Sequence, residues 1–231
     1  MISVLTITYQ RHHLLEEAIE SFLKQDPSFN FEMVVINDSP DVEYTIDNDR
    51  VRVINCKERF PSIAAKLEFG YKQCKYDNIY RLDDDDLIGP DGLWMMVRAI
   101  IENPGFEIYR SSGHYFYVDN KYQKISDSIN NGNCYTRAYL DRITWPHKSG
   151  DEDADITFGH NASIYTLDKP TMIYRWGMNT LHISGMGILP SEEVLRRTDE
   201  VLFGEKGVID LSPHFKDSYY TSIKKPYAWH R

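Results

Sequence analysis

The sequence predicts an α/β fold: a mixed, mainly parallel sheet flanked by helices. Two observations carry this reading. Strand-like and helix-like patterns alternate over roughly residues 1–105, the signature of parallel strands joined by helical crossovers. Three polar clusters, Thr8–Arg11, Asn37–Pro40 and Asp83–Asp86, each follow directly on a strand-like run. In a sheet of this kind, ligands bind beyond the carboxyl ends of the strands, so the three clusters are expected to meet on one edge.

The elements follow in order. Ile2–Thr8 is a short buried strand. Leu14, Leu15, Ala18, Ile19, Phe22 and Leu23 recur at helical spacing, predicting a helix over His13–Gln25. Glu32–Ile36 is a second strand, stopped by the turn-rich Asn37-Asp38-Ser39-Pro40, and Val51–Ile54 is a third. Pro61–Lys75 reads as a helix with Pro61 in its first turn. Asn78–Leu82 is the fourth strand and runs into four consecutive aspartates. Pro90-Asp91-Gly92 opens a helix reaching about Glu102.

The second half is less regular. His114–Val118 and Thr171–Arg175 read as strands, Thr136–Arg142 and Ser191–Leu202 as helices, and Gly150–His160 as an acidic loop entering a short helix. From about Ser212 the chain is rich in aromatic and basic residues.

Composition narrows the classes. The chain has 231 residues, 42% of them hydrophobic and 26% charged, as in an ordinary globular domain. No apolar run reaches about 18 residues, so no membrane-spanning helix is expected. The opening Ile2–Thr8 has no basic segment before it and does not resemble a signal peptide. Cys56, Cys74 and Cys134 are far apart and odd in number, which argues against a disulfide framework and for a cytoplasmic setting. The formal net charge of −9 attracts neither nucleic acid nor anionic substrates. A phosphate-bearing ligand would need local positive charge.

The run Leu82-Asp83-Asp84-Asp85-Asp86-Leu87 is the most informative feature. Like charges this close repel, and a bound divalent cation removes the repulsion. Residues two apart on a strand share a face, so Asp83 and Asp85 are expected to point the same way. Hard oxygen ligands suit Mg²⁺, Mn²⁺ or Ca²⁺. An EF-hand is excluded, because the sixth-position glycine and twelfth-position glutamate are missing. The bland alternative is a solvated acidic turn. The second acidic cluster, Asp151-Glu152-Asp153-Ala154-Asp155, is either a charged surface loop or the source of a catalytic base.

Four segments in order resemble family 2 glycosyltransferases of the GT-A type. Ser3–Arg11 resembles that family's opening strand, and Val34-Val35-Ile36-Asn37-Asp38-Ser39 its second strand and nucleotide-binding aspartate. Ser62-Ile63-Ala64-Ala65-Lys66-Leu67 is similar to its small-residue helix start, with lysine where arginine is more usual. Leu82–Leu87 looks like its DxD motif. The resemblance implies a single GT-A (Rossmann-like) domain over residues 1–231. Residues 1–110 would form the nucleotide-sugar half, and 111–231 the acceptor side and tail.

The resemblance also implies roles. Asp38 would accept a hydrogen bond from a pyrimidine, most often uracil. Thr8 and Tyr9, with Arg11 just beyond, would line the base and ribose pocket, and Lys66 would sit near the nucleotide. Asp83 would contact ribose or a metal-bound water, with Asp84 beside it on the nucleotide side. Asp85 would hold Mn²⁺ or Mg²⁺ bridging the two phosphates. Glu152-Asp153 resembles the family's ED motif, with Asp153 as the base and Glu152 and Asp151 in reserve. His182 occupies the place of an extra C-terminal metal ligand, which would tilt preference toward Mn²⁺. Arg175 or Trp176 would reach diphosphate or sugar.

The expected activity is therefore metal-dependent transfer of a sugar from a nucleoside-diphosphate donor, a UDP-sugar, with inversion. The expected acceptor is a hydroxyl of a saccharide or glycolipid. A hydroxylated DNA base is also open, since the chain resembles compact phage-encoded members and its Lys224–Arg231 tail is basic and aromatic. Two other classes stand beside it. A nucleotidyltransferase would carry a glycine-rich phosphate loop after the first strand, and Thr8-Tyr9-Gln10-Arg11-His12 has no glycine. A non-catalytic nucleotide-sugar binder would keep the DxD without a base.

Overall fold

The computed structural model describes residues 1–118, 121–125, 130–146, 152–175, 206–221 and 223. The expected helix Ser191–Leu202, His182, Trp176, Asp151 and the Lys224–Arg231 tail lie outside these residues.

Strand β1 (Ile2–Thr8) is buried over nearly its whole length. Helix α1 (His12–Leu23) turns Leu14, Leu15, Ala18, Ile19 and Phe22 inward. It stops at Leu23, short of the predicted Gln25, whose side chain braces the end of the helix against α3. Gln25 Nε2 donates to Ser21 O at 3.0 Å and its Oε1 accepts from Leu93 N at 3.2 Å. β2 (Phe31–Asn37), β3 (Val42–Thr45) and β4 (Val51–Asn55) follow.

Helix α2 (Ile63–Gln73) is capped by Ser62, whose hydroxyl accepts from Ala65 N at 3.1 Å. Pro61 therefore lies before the cap and not in the first turn. β5 (Asn78–Arg81), β6 (Leu87–Ile88) and α3 (Gly92–Glu102) complete the first half. The second half holds β7 (Ile108–Ser111), β8 (His114–Val118), β9 (Lys121–Ile125) and β10 (Cys134–Thr136). After them come α4 (Arg137–Arg142), α5 (Glu152–Phe158), β11 (Ile164–Leu167), β12 (Met172–Arg175), β13 (Gly207–Asp210) and α6 (Ser218–Thr221).

Seven of the strands form the central sheet in the order β11-β7-β10-β5-β1-β2-β4. Its pairings are parallel except where β10 runs antiparallel to β5 and β7. Alternate residues feed two cores, as the period of a strand requires. Val4, Met33 and Val35 pack with Leu15, Ile19 and Phe22 of α1 and with Leu93 and Met96 of α3. Leu5, Val34 and Ile36 pack with Leu67 and Tyr71 of α2, Tyr139 and Leu140 of α4, and Ile156 of α5. Both faces are covered, which is why neither β1 nor β2 alternates strictly between apolar and polar residues.

A second sheet, β6-β12-β8-β9, packs beside the first, and β13 pairs parallel with β3. Gly92 opens α3 where it meets β12, and a Cβ there would lie 2.3 Å from Thr171 O. Leu87, Tyr117, Ile173, Tyr219 and Ile223 form a small third core that seats α6. Cys56, Cys74 and Cys134 are free thiols. Among the described residues no helix is long and apolar enough to cross a membrane.

Candidate active site

The register sets the site. Thr8 pairs with Asn37, and Asn37 with Asn55, so β1, β2 and β4 end level with one another. Leu5 pairs with Arg81, and β5 then releases the chain into the four aspartates. The three polar clusters meet on this edge, as expected.

The first two clusters are bonded together. Gln10 has φ 51, in the left-handed region. Its N–H donates to Ser39 Oγ at 3.0 Å. A non-glycine residue held in this region next to a sheet edge is typical of a site that needs a particular backbone path. Lys66 Nζ donates to Thr8 O and to Asp38 Oδ1, both at 2.5 Å. Asp38 Oδ2 accepts from Phe60 N at 3.0 Å. Burial lowers the pKa of Lys66, and the charge of Asp38 opposes that shift. Tyr9 is half-buried, with the Arg59 guanidinium 4.2 Å from its ring centroid.

The aspartate run forms a turn, because the strand ends one residue short of the predicted Leu82. Asp86 N donates to Asp83 O at 3.1 Å, and Asp83 N donates to Asn131 Oδ1 at 3.1 Å. The turn brings together Asp83, Asp85 and also Asp86, whose offered carboxylate oxygens lie within 4.8 Å of one another. Simple alternation along a strand would not have added Asp86.

Asp84 faces the other way. It is fully buried and is gripped by Arg11 through Nη2 and through Nε at 3.1 Å. Arg11 Nη1 reaches Asp85 Oδ2 at 3.4 Å. Burial pushes Asp84 up to about 6; Arg11 opposes the rise and Asp85 adds to it. Burial and then Asp85 push Asp86 well above the usual carboxylate range, against the hydrogen bond from Arg175 N. Three mutually repelling oxygen donors held by hydrogen bonds fit a hard divalent cation.

The acidic cluster of the second half reaches the same place. Glu152 is buried at the start of α5, and its Oε1 accepts from Arg81 Nη2 at 3.2 Å. Arg81 Nε donates to Asp83 Oδ1 at 3.3 Å. Asp153 is half-buried, and its Oδ1 accepts from Ala154 N at 2.8 Å. Burial works against the charge on Arg81, but Asp83, Glu152 and Asp153 outweigh it and raise its pKa. Arg81 was not singled out in the sequence. Its one signal is a charge inside an otherwise apolar strand.

Arg175 has a different place from the one expected. It is 1% exposed. Its Nη1 pairs with Glu17, its Nε donates to Asp85 O, and its N–H donates to Asp86 Oδ1 at 2.8 Å. Asn131 Nδ2 donates to Asp86 Oδ2 at 2.5 Å. Arg175 and Asn131 thus hold the acidic turn from behind, and Arg175 is committed to the protein interior.

A mainly parallel α/β sheet with such an acidic turn at its strand ends is the architecture of the GT-A fold. Residues 3–158 match Glycosyl transferase family 2, and the chain belongs to that family of glycosyltransferases. Among solved structures it is similar to S. aureus TarS 1-349 in complex with UDP-GlcNAc, at 18% identity and a TM-score of 0.64. That match covers 87% of this chain and 65% of that one. It is also similar to the mannosyltransferase PcManGT from Pyrobaculum calidifontis in complex with GDP-Man and Mn2+, at 15% identity and a TM-score of 0.56. There it covers 75% of this chain and 56% of the other. At these identities the likeness is one of fold. No curated protein sequence matches the chain.

Proposed function

We propose that the protein transfers a sugar from a UDP-sugar to an acceptor hydroxyl in a metal-dependent, inverting reaction. One observation carries the reading. The carboxylates of Asp83, Asp85 and Asp86 cluster within 4.8 Å at the strand-end edge, where a diphosphate is expected to lie. Mn²⁺ or Mg²⁺ held there would supply Lewis-acid stabilisation of the departing diphosphate.

The chain's own residues do the rest. Tyr9 and Thr8 bound the nucleoside pocket, and Asp38, oriented by Lys66 and Phe60 N, reads uracil. Arg11 offsets the charge of Asp84 and orders the turn. The acceptor oxygen attacks the anomeric carbon as the bond to the diphosphate oxygen breaks, and the electron pair leaves with the nucleotide. The acceptor's proton passes to the Asp153 carboxylate. Residues 1–110 hold the donor, and the acceptor, a saccharide or glycolipid, enters from the side of 111–231. In the neighbours, TarS is in complex with UDP-GlcNAc and PcManGT with GDP-Man and Mn2+, which supports a nucleoside-diphosphate-sugar donor and a divalent metal.

The test is release of UDP from UDP-sugars with and without Mn²⁺. Asp85→Asn abolishes release while the fold survives, and Asp153→Asn lowers kcat by roughly 100- to 10,000-fold. Full activity in Asp85→Asn overturns the assignment.

A further inference from the structure

Arg81 joins two acidic segments that are 71 residues apart in sequence. Its guanidinium sits on β5 and is 7% exposed. One edge donates to Asp83 of the acidic turn and another to Glu152 of α5. The third nitrogen, Nη1, is buried with no hydrogen-bond partner among the described residues.

Stability alone gives little reason for this arrangement. A buried ion pair contributes weakly, and apolar side chains of similar volume often do as well. A buried donor left without an acceptor is an outright cost. Such a locally unfavourable device is expected where position matters more than stability. The positions it fixes are informative. Asp83 belongs to the cation cluster. Glu152 is 4% exposed, while the adjacent Asp153 is half-buried and more open.

We infer that Arg81 is a positioning residue which, through Glu152, sets the start of α5 and thereby the distance from Asp153 to the acidic turn. Glu152 is its anchor and does not itself take the acceptor's proton. This deepens the proposed glycosyl transfer and rests on it. The arginine fork is needed because one planar group must address two carboxylates in fixed directions.

The experiment compares four variants with the wild-type protein for kcat in UDP release, for UDP affinity in Mn²⁺, and for thermal stability. Glu152→Gln keeps an oxygen for Arg81 Nη2 and loses far less kcat than Glu152→Leu. Glu152→Leu and Arg81→Met each lower kcat by about 100-fold, the scale of a roughly 1 Å misplacement. UDP affinity in Mn²⁺ holds in Glu152→Leu, whose side chain is not part of the cation cluster, and falls in Arg81→Met, because Arg81 also holds Asp83. The double variant Arg81→Met/Glu152→Leu removes both buried partners and leaves only the partly exposed Asp83 without its arginine, so it folds. Its kcat falls no further than in either single variant, because the two act as one unit.

Glu152→Gln as inactive as Asp153→Asn would make Glu152 the proton acceptor and overturn the anchor role. Losses that multiply in the double variant overturn the coupling, as does wild-type kcat in Arg81→Met. A wild-type protein without turnover on any UDP-sugar overturns the glycosyl-transfer reading first, and this inference with it.

Discussion

Arg175 and Glu17 form an ion pair inside the protein, 1% and 4% exposed respectively. Tyr219 of the C-terminal helix donates its hydroxyl to the same Glu17 oxygen at 3.1 Å. The far side of Arg175 holds the carbonyl of Asp85, and its backbone N–H holds Asp86. Helix α1, helix α6 and the acidic turn are therefore tied to one side chain. Arg175→Met leaves the buried Glu17 carboxylate with the Tyr219 hydroxyl and, at 3.9 Å, Lys216 Nζ, and is expected to cost about 3 kcal/mol in chemical denaturation. Adding Glu17→Leu recovers part of that loss, since the buried charge without its arginine is gone. Equal stability of the single variant and the wild type would contradict this role.

Lys66 and Asp38 are expected to behave as a unit. Lys66→Met leaves a buried carboxylate with only Phe60 N as partner. Stability falls by about 3 kcal/mol and calorimetric affinity for UDP falls with it. Lys66→Arg keeps the charge but not the compact donor that reaches both Thr8 O and Asp38, so it restores stability only in part.

The acidic turn carries a charge-repulsion cost that a bound cation is expected to offset. Asp84 is pushed up to about 6 from an ordinary 3.8, and Asp86 is raised well above the same value. A carboxyl whose folded pKa is raised keeps its proton longer in the folded chain than in the unfolded one. The resulting stability is fully present below the unfolded value and is lost as pH rises through about 6. Without metal, Asp85→Asn relieves the repulsion among ionised neighbours. It is expected to raise Tm more near pH 7 than near pH 5. With Mn²⁺ the order reverses, because only the wild type gains the cation. A Tm for Asp85→Asn that rises with Mn²⁺ as the wild type's does would contradict this.

Gly92→Ala tests the contact between the start of α3 and the chain leading into β12. Its Cβ would press on the Thr171 carbonyl at 2.3 Å, which is backbone and yields little. The substitution is expected to cost about 1–3 kcal/mol and to weaken Mn²⁺ binding, because Thr171 leads directly into β12 and Arg175. Unchanged Tm and unchanged Mn²⁺ affinity would show that the contact relaxes freely.

The sequence made some of this legible and hid the rest for physical reasons. β1, β2 and β5 are covered on both faces, so each is rich in buried apolar residues and ends in polar ones. The convergence of Thr8, Asp38 and Asp83 on one edge follows from that pattern alone. Helix α1 was legible from its stripe, but Gln25, at its C-terminal end, was not separable from the helix. Its role is set by Leu93, which is far away in sequence. The two-residue β6 and three-residue β10 are too short to show a period. Asp86 joins Asp85 and Asp83 because the chain turns, and a turn of four identical residues carries no alternation to read. Arg175 looked like a diphosphate contact, since its partner Glu17 is 158 positions away. Long-range charge pairing of this kind leaves no local trace.

The most direct test of the account is titration of the protein with UDP by calorimetry, with and without Mn²⁺. The account predicts that Mn²⁺ tightens UDP binding in the wild type and that Asp85→Asn removes the effect. UDP affinity that is the same with Mn²⁺, with Mg²⁺ and with no divalent cation would contradict it.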